Sequence, residues 1–66
     1  MEFLEKAKIR LEHWMKHNEE HQKEYLEFAD QLEEAGKKVA SDSIREMAQL
    51  ENQSNQCLQK ALDNLD

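Results

Sequence analysis

The sequence predicts an all-α protein, an antiparallel two-helix hairpin whose copies pair into a four-helix bundle. Three observations carry that expectation. Proline is absent and glycine occurs once, at Gly36, while Ala, Glu, Lys, Gln and Leu dominate, a helix-forming composition almost from end to end. Apolar residues recur at alternating steps of three and four on both sides of that glycine. The polar interruptions of the two apolar stripes fall at matching heights once the chain is folded back.

The first helix is expected over about residues 2–35. Its stripe reads Leu4, Ala7, Leu11, Trp14, Asn18, His21, Tyr25, Phe28, Leu32, Ala35, a heptad with two core positions. Acid-before-base pairs four apart, Glu2–Lys6, Glu12–Lys16 and Glu19–Lys23, support its outer side by a few tenths of a kcal/mol each, on the order of 0.2–0.5. Gly36 follows the stripe directly and is the natural left-handed residue to end the helix, with Lys37 and Lys38 complementing the negative end of its dipole. The second helix is expected over about 38–65. Val39 and Ala40 continue the apolar register and favour this early start, whereas a capping-box pattern at Ser43–Glu46 favours a later one. Its stripe reads Ala40, Ile44, Met47, Glu51, Ser54, Leu58, Ala61, Leu65. The whole chain, 1–66, is thus one hairpin.

Facing residues then have numbers summing to roughly 72. Trp14 is set opposite Leu58, Phe28 opposite Ile44, Leu32 opposite Ala40 and Cys57 opposite Met15. The polar interruptions meet in mid-hairpin, Asn18 near Ser54 and His21 near Glu51. Left unpaired in a buried layer, such groups would cost about 1–3 kcal/mol each, so they are expected to satisfy one another, a water or an ion. One hairpin has no second layer to cover Trp14, Tyr25 and Phe28. Pairing of two copies as a homodimer supplies it.

Composition excludes several function classes. The net charge is −6, from 15 acidic and 9 basic side chains, which disfavours binding to nucleic-acid phosphates or to an anionic membrane surface. No apolar run approaches the ~20 residues that span a bilayer, and MEFLEKAKIR lacks a signal-peptide pattern. A single cysteine, Cys57, allows no internal disulfide and suits a reducing compartment, so a cytoplasmic location is expected.

The chemistry-bearing stretch is HWMKHNEEHQKEYLEF, which holds all three histidines, His13, His17 and His21, four apart each time. On a helix this spacing stacks imidazoles one turn apart on one side, where neighbours can share a transition ion such as nickel, zinc, cobalt or copper. His13 and His21 lie ~12 Å apart along the axis, so His17 and His21 form the expected pair, with Glu51 as a third ligand and His13 as an accessory. Asn18 or Asn55 could orient the rings. The competing reading is structural: His21 bonds to Glu51, and Asn18 fixes register at a core position. The run His17–His21 matches H-x-x-E-H, but Glu20 lies off the stripe and so short a chain offers no substrate cleft. The Glu-x-x-His pattern of di-iron bundles is absent, since Arg10, Trp14 and Asn18 precede the histidines by three. Nothing makes room for a haem.

The residues Leu11, Glu12, His13, Trp14, His17, Asn18, His21 and Tyr25 carry a further signal. They resemble a family of small uncharacterised prokaryotic helical-hairpin proteins with the motif L-E-H-W-x-x-H-N-x-x-H-x-x-x-[FY]. The resemblance implies a hairpin with an Ala or Gly turn, matched by Gly36, and a second helix containing Asn, matched by Asn55. It also implies a loose link to nickel or cobalt handling. The resulting expectation is a small non-catalytic metal-binding protein. The alternative is a structural or protein-interaction bundle module with a buried polar layer and no metal.

Overall fold

The computed structural model describes residues 2–65; Met1 and Asp66, at the ends of the expected span, lie outside the described residues. Two helices account for nearly all of it, α1 (Glu2–Glu34) and α2 (Lys38–Asp63), packed against each other as a hairpin. The turn is a Schellman motif. The Gly36 amide donates to the Glu33 carbonyl and the Lys37 amide to the Leu32 carbonyl, each at 2.9 Å. Gly36 has φ +79°, the left-handed value that this closure requires and that a Cβ disfavours. Helix α2 starts early, as Val39 and Ala40 indicate. Ser43 is therefore interior, and its hydroxyl donates back to the Val39 carbonyl at 3.1 Å instead of capping an end.

The seam between the helices is set one residue later than the expected stripe at one of its two heptad positions. On α1, Leu4, Leu11, Asn18, Tyr25 and Leu32 keep their places. Met15 and Ala29 are half-buried and fully buried, whereas Trp14 and Phe28 stay 47% and 51% exposed. On α2, the seam runs through Ser41, Ile44, Ala48, Glu51, Asn55, Leu58 and Leu62, with Leu65 half-buried just past its end, so Ser41, Asn55 and Leu62 replace Ala40, Ser54 and Ala61, and Ala48 is buried where Met47 is only half-buried. The expected Trp14–Leu58 and Phe28–Ile44 pairings are therefore corrected. Near the turn size is the reason for Phe28: the helices close on Ala29, Ser41 and Ala48, each 0–1% exposed, and a large ring does not fit there. The Ser41 hydroxyl donates to the Ala29 carbonyl at 2.8 Å across this contact, which satisfies the one fully buried polar side chain found there.

Beyond the turn, Arg45 spans the helices, donating to Glu33 at 2.9 Å and Asp30 at 3.0 Å. These bonds, to Glu33 first and then Asp30, hold its guanidinium pKa above the ordinary value. The Cα envelope measures 53 × 14 × 10 Å, one helix layer thick. Among the described residues only Ala29, Ser41 and Ala48 are buried, so no large side chain is enclosed.

The first residue of α2 is preceded by Lys37, which makes no side-chain cap bond, and the first turn carries no acid. Lys37→Asp should therefore raise stability by about 0.5–1 kcal/mol, because an acceptor and a negative charge then meet unpaired amides. Gly36→Ala should lower it by about 1–2 kcal/mol, although open space surrounds the position, since the cost is the backbone's. Thermal melts of the two variants, moving in opposite directions from wild type, check the turn.

Candidate functional site

The one-residue offset of the seam sorts the remaining side chains onto two broad faces. In an antiparallel pair, residues just after the seam on both helices turn to one face, and residues just before it turn to the other. The bonds of Arg45 to Asp30 and Glu33, and the Glu12, Lys16, Glu19 and Gln59 side chains that flank Met15 and Leu62 in a shallow groove, make the first face the more charged and polar one. The opposite face carries Phe3, Trp14, His17, His21 and Phe28 from α1, and Ala40, Met47, Leu50, Cys57 and Ala61 from α2. Phe3 is 77% and Leu50 57% exposed, and Cys57 is a free, exposed thiol.

At mid-height the faces are joined by a polar tie. Asn18 donates through Nδ2 to Asn55 Oδ1 at 2.9 Å, and Asn55 Nδ2 donates to the Met15 carbonyl at 3.0 Å. Among the described residues no buried side-chain N or O lacks a partner. The mid-hairpin polar layer is thus self-satisfied, with Asn55 in the place expected for Ser54. This pair sets the register, facing numbers summing to 73, which brings Glu51 level with Gln22 and one residue past His21.

The histidines form a ladder along α1, with His17 and His21 on the apolar face and His13 one turn before them beside Lys16 and Glu20. Ring centroids of His17 and His21 stand 4.2 Å apart, those of His13 and His17 6.2 Å, and His21 lies 5.8 Å from Tyr25. His13 and His17 are exposed, and His21 and Glu51 are half-buried. Two imidazoles on successive turns can share an ion. Among the described residues, however, no three His, Cys, Asp or Glu side chains are grouped so as to hold a metal, so Glu51 and His13 do not complete a site with His17 and His21 inside one chain. Arg45 is the structural residue that the periodicity did not point to; its signal was an isolated base one residue past a seam position.

The family model for a domain of unknown function, DUF8180, matches residues 7–65. The chain belongs to this family. The DUF8180 match takes in the histidine ladder, the Gly36 turn and both asparagines of the tie. Neither the curated proteins nor the solved structures contain a match to the chain. No described helix is long and apolar enough to cross a membrane.

The tie is testable by a double-mutant cycle. Asn55→Leu should destabilise the hairpin by about 1–3 kcal/mol, because Asn18 loses its acceptor in a half-buried setting. Adding Asn18→Leu should recover most of that loss, and denaturant titration of the three variants reads the coupling.

Proposed function

We propose that this protein is a small non-catalytic assembly module, which pairs through its apolar face with a second copy to make a four-helix bundle. The observation that carries the reading is the segregation of the faces. Of the large apolar side chains left exposed by the hairpin, Phe3, Trp14, Phe28 and Leu50 gather on one side, while Leu26 stands on the more polar side and Ile9 and Val39 are exposed elsewhere.

Area supports the same reading. The chain exposes 5347 Å², whereas a compact monomer of 7.9 kDa exposes about 4,400 Å². The surplus of roughly 900 Å² is close to the ~800 Å² that one partner contributes to a stable interface. The radius of gyration, 15.4 Å, likewise exceeds the ~11 Å of a compact chain of this length. A second hairpin laid on the face supplies the missing layer and covers the aromatic rings.

A metal-handling role is the second reading, favoured by the 4.2 Å approach of the His17 and His21 rings on that same face. Both readings use the face and neither needs catalysis.

Sedimentation equilibrium tests the assembly directly. The wild-type chain should run as a dimer at micromolar concentration. Trp14→Glu or Phe28→Glu should weaken association by at least 100-fold, since each places a charge where an aromatic ring is buried, while Glu19→Gln on the polar face should leave it unchanged. A monomer at all concentrations, with helicity intact, would overturn the proposal.

A further inference from the structure

We infer that the open face selects its own copy turned end for end, α1 on α1, and that His17 of each chain pairs with Glu24 of the other to fix the register. The inference rests on the assembly proposed above and names the side chains that specify it.

The first observation concerns the polar groups on the open face. From Ala40 through Met47, Leu50 and Cys57 to Ala61, every α2 residue just before the seam is uncharged. The charged and amide-bearing side chains of that face come from α1, as Arg10, His17, Glu24 and Gln31, and all four are exposed. Among the described residues, none of the four makes a side-chain hydrogen bond or ion pair within the hairpin. A second copy that covers the aromatic rings must therefore satisfy these groups as well, because a charge buried without a partner is expensive.

The second is that the α1 stripe is matched in kind about His21. Trp14 lies seven residues before it and Phe28 seven after, with Ala7 and Ala35 seven beyond each. His17 lies four before and Glu24 three after, and Arg10 eleven before and Gln31 ten after. A two-fold axis at His21 thus sets ring against ring, Ala against Ala and the Arg10 guanidinium against the Gln31 amide. It brings His17 to within one residue, about 1.5 Å along the helix, of the second copy's Glu24. There the imidazole N–H donates to the carboxylate, the stronger kind of hydrogen bond because the acceptor is ionised. Helix α2 then meets its own copy through uncharged layers, Met47 level with Cys57 and Leu50 with Ser54.

The third is that other placements lose this match. With the turns at the same end, α1 lies on α2, and the register set by Asn18 and Asn55 holds the Glu24 carboxylate between the second copy's Leu50 and Met47. Sliding the end-for-end pairing by one heptad sets Glu24 on Glu24, a like-charge contact. Sliding it the other way brings Arg10 to Glu24 but sets Trp14 on His21 and Phe28 on Ala7, so neither ring meets its like.

The test is sedimentation equilibrium on charge variants whose helicity circular dichroism shows to be intact. His17→Glu should weaken self-association at least about tenfold, because each dimer then holds two carboxylate–carboxylate contacts. The double variant His17→Glu/Glu24→Lys should return it to within about threefold of wild type, since every introduced carboxylate then faces a lysine of the other copy. A role for either side chain within one hairpin would give no such rescue. A wild-type dimer that His17→Glu leaves unchanged, or that the double variant fails to restore, overturns the pairing and leaves the assembly standing. A wild-type monomer overturns the assembly itself.

Register is read separately by cross-linking in a Cys57→Ser background. A short bis-maleimide should join His21→Cys copies and fail to join His17→Cys copies, which the axis holds ~12 Å apart along the helices. Equal cross-linking at the two positions, or preference for His17→Cys, overturns the register.

Discussion

A layer one helix thick cannot enclose a large side chain, and that constraint governs this protein. In the hairpin as it stands, full burial is reached only by Ala29, Ser41 and Ala48 among the described residues. Leu11, Met15, Tyr25, Leu32, Ile44 and Leu58 are only half covered by the opposite helix. Hydrophobic burial is the main favourable term in folding, and it must offset about 1–2 kcal/mol of backbone entropy for each ordered residue. Small folds of this length ordinarily rely on disulfides, a metal or a partner chain. With a single cysteine in the sequence, the first is closed to one chain. Surface left over on one side of the hairpin is where a partner can add stability, and that is where the uncovered aromatic residues lie.

What keeps those residues on one side is the rotation of each helix about its axis, and three contacts fix it. The small-residue closure at Ala29, Ser41 and Ala48 brings the helices together near the turn. The Asn18–Asn55–Met15 bonds lock them at mid-height, and Arg45 fastens α2 to Asp30 and Glu33 along one edge. Rotating either helix by one residue, about 100°, would break the asparagine tie and carry Trp14 or Phe28 toward a seam with no room for it. The polar layer therefore costs some apolar burial and supplies a unique register, the use best attested for an asparagine at a core position.

The hairpin itself was legible because its signals are local. A lone glycine at the end of a heptad stripe marks the turn, and the absence of proline lets each helix run long. The register was legible to within one residue, since antiparallel pairing about a known turn leaves little freedom. Which of two adjacent positions faces the partner helix was not legible. Trp14 and Met15, or Phe28 and Ala29, both continue a three–four stripe, and hydrophobicity favours the larger ring. Near the turn the close approach of the helices at Ala29, Ser41 and Ala48 selects Ala29, and farther along the helices the Asn18–Asn55–Met15 bonds accompany Met15 at the seam. Asn55 in place of Ser54 follows from the same shift. The heptad in the sequence merges two stripes, one that closes the hairpin and one that lies open beside it. The histidine spacing correctly placed His17 and His21 on neighbouring turns, but spacing along one helix carries no information about a third ligand, and Glu51 falls one residue past His21.

The central claim, that the open face of the hairpin is covered in the assembled protein, is tested most directly by the emission of the only tryptophan, Trp14, followed across a dilution series. Trp14 is 47% exposed in the single hairpin and stands on the face in question. The account predicts a blue-shifted emission resistant to iodide quenching at high concentration. Dilution through the dissociation constant should turn it red-shifted and quenchable while helicity is largely retained. A red-shifted, readily quenched emission that is the same at every concentration would mean that the face stays open to water, and would contradict the account.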